Sequence, residues 1–276
     1  MTDALRPFQR ALAPQQKICP ADSDTRIILR LYFFPHAGGA AHSISSWRSQ
    51  MPSGVDVVGI DLAGRGRRLD ECPSIDFNYH IAEVVNCILS RTQPPLVFLG
   101  HSMGALIAFE VARKLRELGH ALPLCLFVSG YKAPQLPNEE SRLCDLDDGA
   151  LLARVRQWGG TSDELLRDDK FAALFLRALR ADLETEAGYK YVPAPPLDCP
   201  IVAFGGTDDP EASIDDLRSW QEQTTAAFAV QLFSGGHFFL QQPDSGFAAQ
   251  LRLHLTRLCT QLLITQFDGT HMPSGG

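Results

Sequence analysis

The stretch VFLGHSMGALIAFEVA, residues 97–112, places a serine between two glycines in the pattern Gly100-His101-Ser102-Met103-Gly104. An apolar segment precedes the pattern, and a segment with helical periodicity follows it. A strand, a tight turn and a helix in this order form the context in which a nucleophilic serine is presented. The alternative interpretation is that Ser102 only caps the amino terminus of the helix.

Six short segments rich in Val, Ile, Leu and Phe lie along the chain without clean alternation, which is typical of strands buried on both faces. The predicted strands span 27–34, 55–62, 95–100, 124–130, 201–206 and 227–233. The predicted helices span about 42–51, 78–92, 103–118, 213–223 and 246–264. Strands alternating with helices predict an α/β fold whose central sheet is mostly parallel and flanked by helices.

One block breaks this alternation, because no convincing strand occurs between residues 134 and 192. Its last part carries an apolar stripe at helical spacing, formed by Phe171, Leu174, Phe175, Ala178, Leu179 and Leu183. We interpret 134–192 as a helical lid insertion over the strand ends. Residues 1–133 and 193–265 then form the core, and 266–276 a flexible tail. The alternative is a plain extension of the core helices.

Composition argues against several functional classes. The chain of 276 residues has 25 basic and 32 acidic residues, and this net charge of −7 argues against a nucleic-acid binder. No apolar stretch is suited to a signal peptide or a membrane span. The seven cysteines form no Cys-x-x-Cys pair and predict reduced thiols in a cytoplasmic protein. The histidines show no metal-ligand spacing, so we expect no metal.

A nucleophilic serine needs a neighbouring base, because its hydroxyl does not ionise alone. His237 lies in a glycine-rich loop after the last predicted strand, where catalytic residues collect. Asp209 follows the preceding strand, 28 residues before His237, so that serine, acid and histidine occur in the expected chain order. The neighbouring Asp208 is the alternative acid, and we favour Asp209. A loop histidine without a role is the alternative for His237.

Attack by a serine also requires hydrogen-bond donors for the developing oxyanion. One candidate is the backbone N–H of Met103, the residue after the predicted nucleophile. The other is the N–H of Ala37, in the small-residue loop 34–40 after the first predicted strand. An ordinary glycine-rich turn is the alternative interpretation of that loop.

Several motifs in fixed order resemble those of the type II thioesterases, stand-alone α/β-hydrolases that accompany nonribosomal peptide and polyketide synthetases. They are FFPHAGGA, DLAGRGRR, GHSMGALIAFEVAR, VSGYKAP, the block WGGTSDELL…LRALRADLETEAGYKY, GGTDDP and GGHFFL, within roughly residues 28–260. The resemblance implies hydrolysis of acyl groups from the phosphopantetheine thiol of carrier domains. It implies Ser102, Asp209 and His237 as a catalytic triad, and Ala37 and Met103 as oxyanion donors.

The resemblance also implies a partner. Acyl or peptidyl carrier domains are usually acidic, and the net negative charge here gives no global attraction to them. Local contacts would come from basic residues such as Arg65, Arg67 and Arg68, although a solvated loop is the alternative. Ala63 departs from the proline usual in the family, which concerns only the shape of this loop. We expect no cofactor, no membrane partner and a monomer.

Three other functions share parts of this pattern. A small-molecule carboxylesterase or lipase would use the same triad, and only the insertion and the linked motifs oppose it. A non-catalytic docking partner of a synthetase would not need to keep nucleophile, base and acid together. A fused, product-releasing thioesterase would be expected to carry a carrier domain in the same chain.

Overall fold

The carboxyl ends of six parallel strands form the edge of the molecule on which the predicted residues meet. The computed structural model describes residues 27–90, 94–137 and 143–268. The strands are β1 (Leu29–Phe34), β2 (Val55–Gly59), β3 (Leu96–His101), β4 (Leu126–Ser129), β5 (Ile201–Gly206) and β6 (Phe228–Phe233). All six correspond to predicted strands, and most differ from the predicted bounds by one to three residues.

The sheet order is β2-β1-β3-β4-β5-β6, and every neighbouring pair runs parallel. The register pairs His101, at the end of β3, with Ser129, at the end of β4. Parallel strands require crossover connections, and helices supply them on both faces of the sheet. The predicted α/β class with a parallel sheet and flanking helices is confirmed.

Eight α-helices accompany these strands in the described residues. They are α1 (Ser45–Arg48), α2 (Phe77–Leu89), α3 (Met103–Glu117), α4 (Asp148–Trp158), α5 (Asp163–Leu166), α6 (Asp169–Ala187), α7 (Ile214–Arg218) and α8 (Phe247–Asp268). Short 3₁₀ turns extend the predicted first helix and the helix predicted at 213–223. On one face of the sheet, α2 and α3 bury their apolar side chains. Trp47 and α8 cover the other face.

Helix α3 holds the serine turn in place. Ten of its residues are buried, among them Leu106, Ile107 and Phe109. A helix that is apolar over most of its surface must lie inside the protein. Burial of each large apolar side chain contributes about 1.5–3 kcal/mol, which fixes the amino terminus of α3 firmly against the sheet.

The insertion has a small apolar core of its own. It consists of Leu151, Val155, Leu166, Leu176, Leu179 and Leu183. The partly buried Ala37 packs against this cluster, so the insertion lies over the loop that follows β1. A lid over the strand ends was expected, and the contacts place the helices there. The proposed domain boundaries stay predictions.

One detail of the predicted organisation is wrong. Leu174, assigned to the apolar stripe, is 38% exposed, and Leu176 occupies the buried position instead. The buried face of α6 is narrower than the predicted stripe, because α6 buries only the side chains that face α4 and the core. Helix α8 ends at Asp268, and the tail predicted at 266–276 stays a prediction. Residues 269–276, the rest of that segment, lie outside the described residues.

Candidate active site

Ser102 adopts a backbone conformation that few residues other than glycine accept. Its φ is 54° and its ψ is −129°. Among the described residues it is the only non-glycine with a positive φ. Such a conformation costs about 1–3 kcal/mol and persists only where the surrounding structure enforces it. The side chain makes no capping hydrogen bond to α3, within the described residues, which argues against a capping role.

Steric contacts require glycine at the two outer positions of the pattern. A Cβ on Gly100 would lie 2.2 Å from the carbonyl oxygen of Gly104, and a Cβ on Gly104 would lie 2.0 Å from the carbonyl oxygen of Phe34. Both distances are impossible contacts. Only glycine therefore allows β3, α3 and the end of β1 to approach closely enough to form this turn.

His237 and Asp209 form the pair expected of a base and its orienting acid. The Nδ1 atom of His237 lies 3.0 Å and 3.1 Å from the two carboxylate oxygens of Asp209. The Asp209 side chain is fully buried and also accepts the backbone N–H of Glu211 at 2.9 Å. A hydrogen held on Nδ1 by the carboxylate leaves Nε2 free to accept a proton.

Asp208, the alternative acid, points elsewhere. It is exposed, and its carboxylate accepts the hydroxyl of the adjacent Thr207 at 2.9 Å. Asp209, not Asp208, is therefore the carboxylate that contacts His237.

Glycines also bring the acid loop and the histidine loop together. A Cβ on Gly206 would lie 2.4 Å from the carbonyl oxygen of Gly235 and 2.5 Å from that of Gly236. A Cβ on Gly130 would lie 2.9 Å from the ring of His101 and 3.3 Å from the ring of His237. The missing side chains therefore leave the space in which the imidazole of His237 sits.

Ser102 and His237 line the same small cavity, of about 60 Å³. Ala37 belongs to its wall, and the insertion closes it with Trp158 and Leu183. A cavity of this size holds only a few water-sized groups. The structure thus brings the predicted nucleophile, the predicted base and one predicted oxyanion donor to one small cavity.

Both predicted oxyanion donors belong to elements that touch. Met103 is the first residue of α3, where backbone N–H groups lack intrahelical partners. The start of α3 packs against the backbone of Phe34 and Pro35, just before Ala37. The helix dipole also favours negative charge at this end. The oxyanion roles of Ala37 and Met103 stay predictions that this arrangement suits.

Two further histidines, which the sequence analysis did not assign, surround the base. His101 lies 4.9 Å from His237 between ring centroids, and its Nδ1 is 3.0 Å from the hydroxyl of Ser129. Burial lowers the pKa of His101 well below 6.5, with smaller contributions from His237 and His36. Burial, followed by the charge of His237, lowers the pKa of His36 to about 3. Both rings are neutral near pH 7 and do not repel a proton on His237.

Two of the three arginines in the basic run after β2 fit neither interpretation given above, whereas the third, Arg67, is exposed. Arg65 and Arg68 are buried, so neither a solvated loop nor an exposed docking patch describes them. Arg65 forms a two-pronged ion pair with Asp182 on α6, and Arg68 pairs with Glu71 and Glu83. The expectation of exposure fails for Arg65 and Arg68 because the sequence alone does not show that Asp182 and Glu83 approach them. A substrate contact by Arg65 stays a prediction.

Arg65 does line a second, larger cavity of about 500 Å³ between the core and the insertion. Its walls combine small polar residues from 42–46 with Leu165, Phe171 and Phe175 of the insertion. His36 borders both cavities. The site therefore has a small cavity at Ser102 and a larger one beside it.

The described part of the chain contains no cluster of three His, Cys, Asp or Glu side chains arranged to hold a metal ion. Its helices also include none with the length and apolar character needed to cross a bilayer.

The sequence is similar to those of known thioesterases. A family model described as the thioesterase domain matches residues 29–254. The gramicidin S biosynthesis protein GrsT of Aneurinibacillus migulanus is 38% identical over 218 residues, covering 78% of this chain and 84% of that protein. Thioesterase PikA5 of Streptomyces venezuelae is 34% identical over 218 residues, covering 77% of this chain and 75% of that protein.

Solved structures of similar sequence share the fold of this chain. The RedJ thioesterase of the prodiginine pathway in Streptomyces coelicolor superposes with a TM-score of 0.77 at 36% identity, covering 91% of this chain and 95% of that one. The type II thioesterase BorB of the borrelidin cluster gives 0.76 at 31% identity, covering 86% and 95%. Sheet order, strained serine turn and these likenesses together confirm the α/β-hydrolase fold, and the chain belongs to the thioesterase family.

Proposed function

We propose that the protein is a type II, editing thioesterase that hydrolyses acyl groups from the phosphopantetheine arm of carrier domains in a nonribosomal peptide or polyketide synthetase. Its relatives include GrsT of gramicidin S biosynthesis and RedJ of the prodiginine pathway. The observation that carries the proposal is the strained Ser102 facing one small cavity with His237, which is oriented by the buried Asp209.

Each of the three side chains has a defined chemical role in this proposal. His237 Nε2 accepts the proton of Ser102 as the serine oxygen attacks the thioester carbon. The carbon–sulfur bond then breaks, and His237 returns the proton to the leaving thiol. A water molecule, deprotonated by His237, releases the acyl group as a carboxylic acid and restores Ser102. The N–H groups of Ala37 and Met103 would stabilise the oxyanion formed in each step.

The dimensions of the site support an acyl group of limited size. The compartment at Ser102 is small, while the adjoining cavity is several times larger. A short acyl group fits the compartment at Ser102. The flexible phosphopantetheine arm is longer than this compartment and needs additional space. A thioester lacks much of the resonance of an amide, so a serine–histidine pair suffices to cleave it.

The remaining expectations belong to the same proposal. The partners are acyl or peptidyl carrier domains, and no cofactor or metal of the enzyme itself takes part. The site of action is the cytoplasm, where synthetases assemble their products, and the enzyme acts as a monomer.

The test compares one acyl group on two leaving groups. The kcat/KM for an acetylated carrier protein is measured beside that for p-nitrophenyl acetate, with Ser102→Ala as the control for uncatalysed hydrolysis. We expect the carrier thioester to be the better substrate. A higher kcat/KM for the simple ester would favour the esterase interpretation. Equal hydrolysis by Ser102→Ala would favour a docking partner without catalysis.

A further inference from the structure

A single carboxylate joins the insertion to the loop that follows β1. Asp182, on α6, is completely buried. It accepts the backbone N–H of Gly38 at 2.7 Å and binds both terminal nitrogens of Arg65, with Nη2 at 2.7 Å from Oδ1. A buried carboxylate is stable only when charge and hydrogen bonds compensate its lost hydration. Arg65 and the N–H of Gly38 provide this compensation.

Helix α6 also fixes Gly38 by direct packing. The φ of Gly38 is +74°, and a Cβ there would lie 3.0 Å from the ring of Phe175 and 3.3 Å from Leu179. The hydrogen bond that the N–H of Gly38 donates to Asp182 and the contact with α6 therefore determine together where this residue lies. Its neighbour in the chain is Ala37, the predicted oxyanion donor.

The far end of the same loop is held by the core instead. Asp61 accepts the N–H of Ala41 at 2.7 Å and pairs with Arg67 at 2.8 Å. The loop is thus anchored by one carboxylate of the core and one carboxylate of the insertion. Only the anchor beside Ala37 comes from the insertion.

We propose that Asp182, held by Arg65, is a positioning residue that sets the N–H of Ala37 toward the reacting carbonyl oxygen. The oxyanion site is then complete only when α6 is docked on the core. This inference rests on the proposed function of Ala37 as an oxyanion donor. Small displacements of such donors are costly, since about 1 Å can lower a rate by about a hundredfold.

The test uses Asp182→Asn, which keeps the size of the side chain but removes its charge. We expect kcat for the acetylated carrier to fall about tenfold or more, with KM little changed. The affinity for an alkyl trifluoromethyl ketone should fall by a similar factor, because its adduct with Ser102 carries the oxyanion. Asp182→Glu should restore part of both losses.

The matched control is Asp56→Asn. Asp56 also forms a largely buried ion pair, with Arg30 at 2.8 Å, but near the amino end of β1. Both variants should lower the melting temperature, whereas only Asp182→Asn should lower kcat and ketone affinity. If Asp182→Asn does not fold, Arg65→Lys, which loses the two-pronged contact, should give the same pattern with a smaller loss.

The inference is overturned if Asp182→Asn, or Arg65→Lys in its place, keeps wild-type kcat and ketone affinity. Equal losses in Asp56→Asn would overturn it as well, since a general loss of stability would then explain both. Failure of the wild-type protein to cleave carrier thioesters would contradict the proposed function instead. Ketone affinity would still report on Asp182 in that case.

Discussion

The serine turn and the insertion form opposite walls of one cavity, but they are held by different forces. The turn depends on backbone contacts so close that only glycine fits at Gly100 and Gly104. The insertion depends on side chains, namely its own apolar cluster and the ion pair of Asp182 with Arg65. A backbone-determined wall leaves a local signature in the sequence, whereas a wall held by distant side chains does not.

The largest expected effect concerns the acid that orients the base. Asp209→Asn should lower kcat by about 10²–10⁴-fold, because an amide no longer holds the hydrogen on Nδ1 of His237. Steady-state hydrolysis of an acetylated carrier measures this. Asp208→Asn, one residue away and exposed, is the matched control and should retain wild-type kcat. The opposite ranking of the two variants would mean that Asp208 is the acid.

The backbone-determined wall should tolerate no added atom. Gly104→Ala should lower the free energy of unfolding by about 3 kcal/mol or more, because its Cβ meets the carbonyl oxygen of Phe34. Urea denaturation measures the change. Gly188→Ala, at a helix end where the nearest atom would lie 3.4 Å away, should change stability by only about 0.5 kcal/mol. Similar values for both variants would contradict the steric account.

Acid should weaken the fold through the buried histidines. The pKa of His36 is about 3 in the folded protein, against 6.5 as its ordinary value. Below pH 6.5 the unfolded chain binds a proton that the folded site excludes. The free energy of unfolding therefore falls with falling pH, by about 1.4 kcal/mol per pH unit for this residue.

Urea denaturation between about pH 7 and pH 5 measures this dependence, and His36→Gln should flatten it. Some dependence should remain in that variant, because burial also lowers the pKa of His101. An identical pH dependence in wild type and His36→Gln would show that folding does not lower the pKa of His36.

The side chains of the insertion should determine which acyl lengths the site accepts, and this effect should be smaller than those described above. Trp158→Ala enlarges the compartment at Ser102, so kcat/KM for a hexanoyl carrier relative to an acetyl carrier should rise about tenfold. Competition between the two acyl carriers measures the ratio. Leu165→Ala, which changes the larger cavity only, serves as the control. An unchanged ratio in Trp158→Ala would mean that the acyl group occupies another part of the site.

These contrasts also explain what the sequence could predict. The strands and the serine turn follow from apolar runs and glycines, which are local signals. The pairing of His237 with Asp209 follows from the chain order of serine, acid and histidine. The burial of Arg65 was missed because its partner Asp182 is 117 residues away. The contact of His101 with Ser129 depends on the register of β3 against β4, which no local pattern specifies. Leu174 was misplaced because helical spacing does not tell how wide the buried face is.

The central claim is that Ser102 is the nucleophile, and the most direct measurement is the mass of the enzyme trapped during turnover. The protein is mixed with an acetylated carrier, quenched in acid after milliseconds, digested and analysed by mass spectrometry. We predict one acetyl group on the peptide that contains Ser102 in the wild-type protein. The Ser102→Ala variant should carry no acetyl group on this peptide and should not hydrolyse the carrier. Acetylation of a different residue, or hydrolysis at the wild-type rate by Ser102→Ala, would contradict the account.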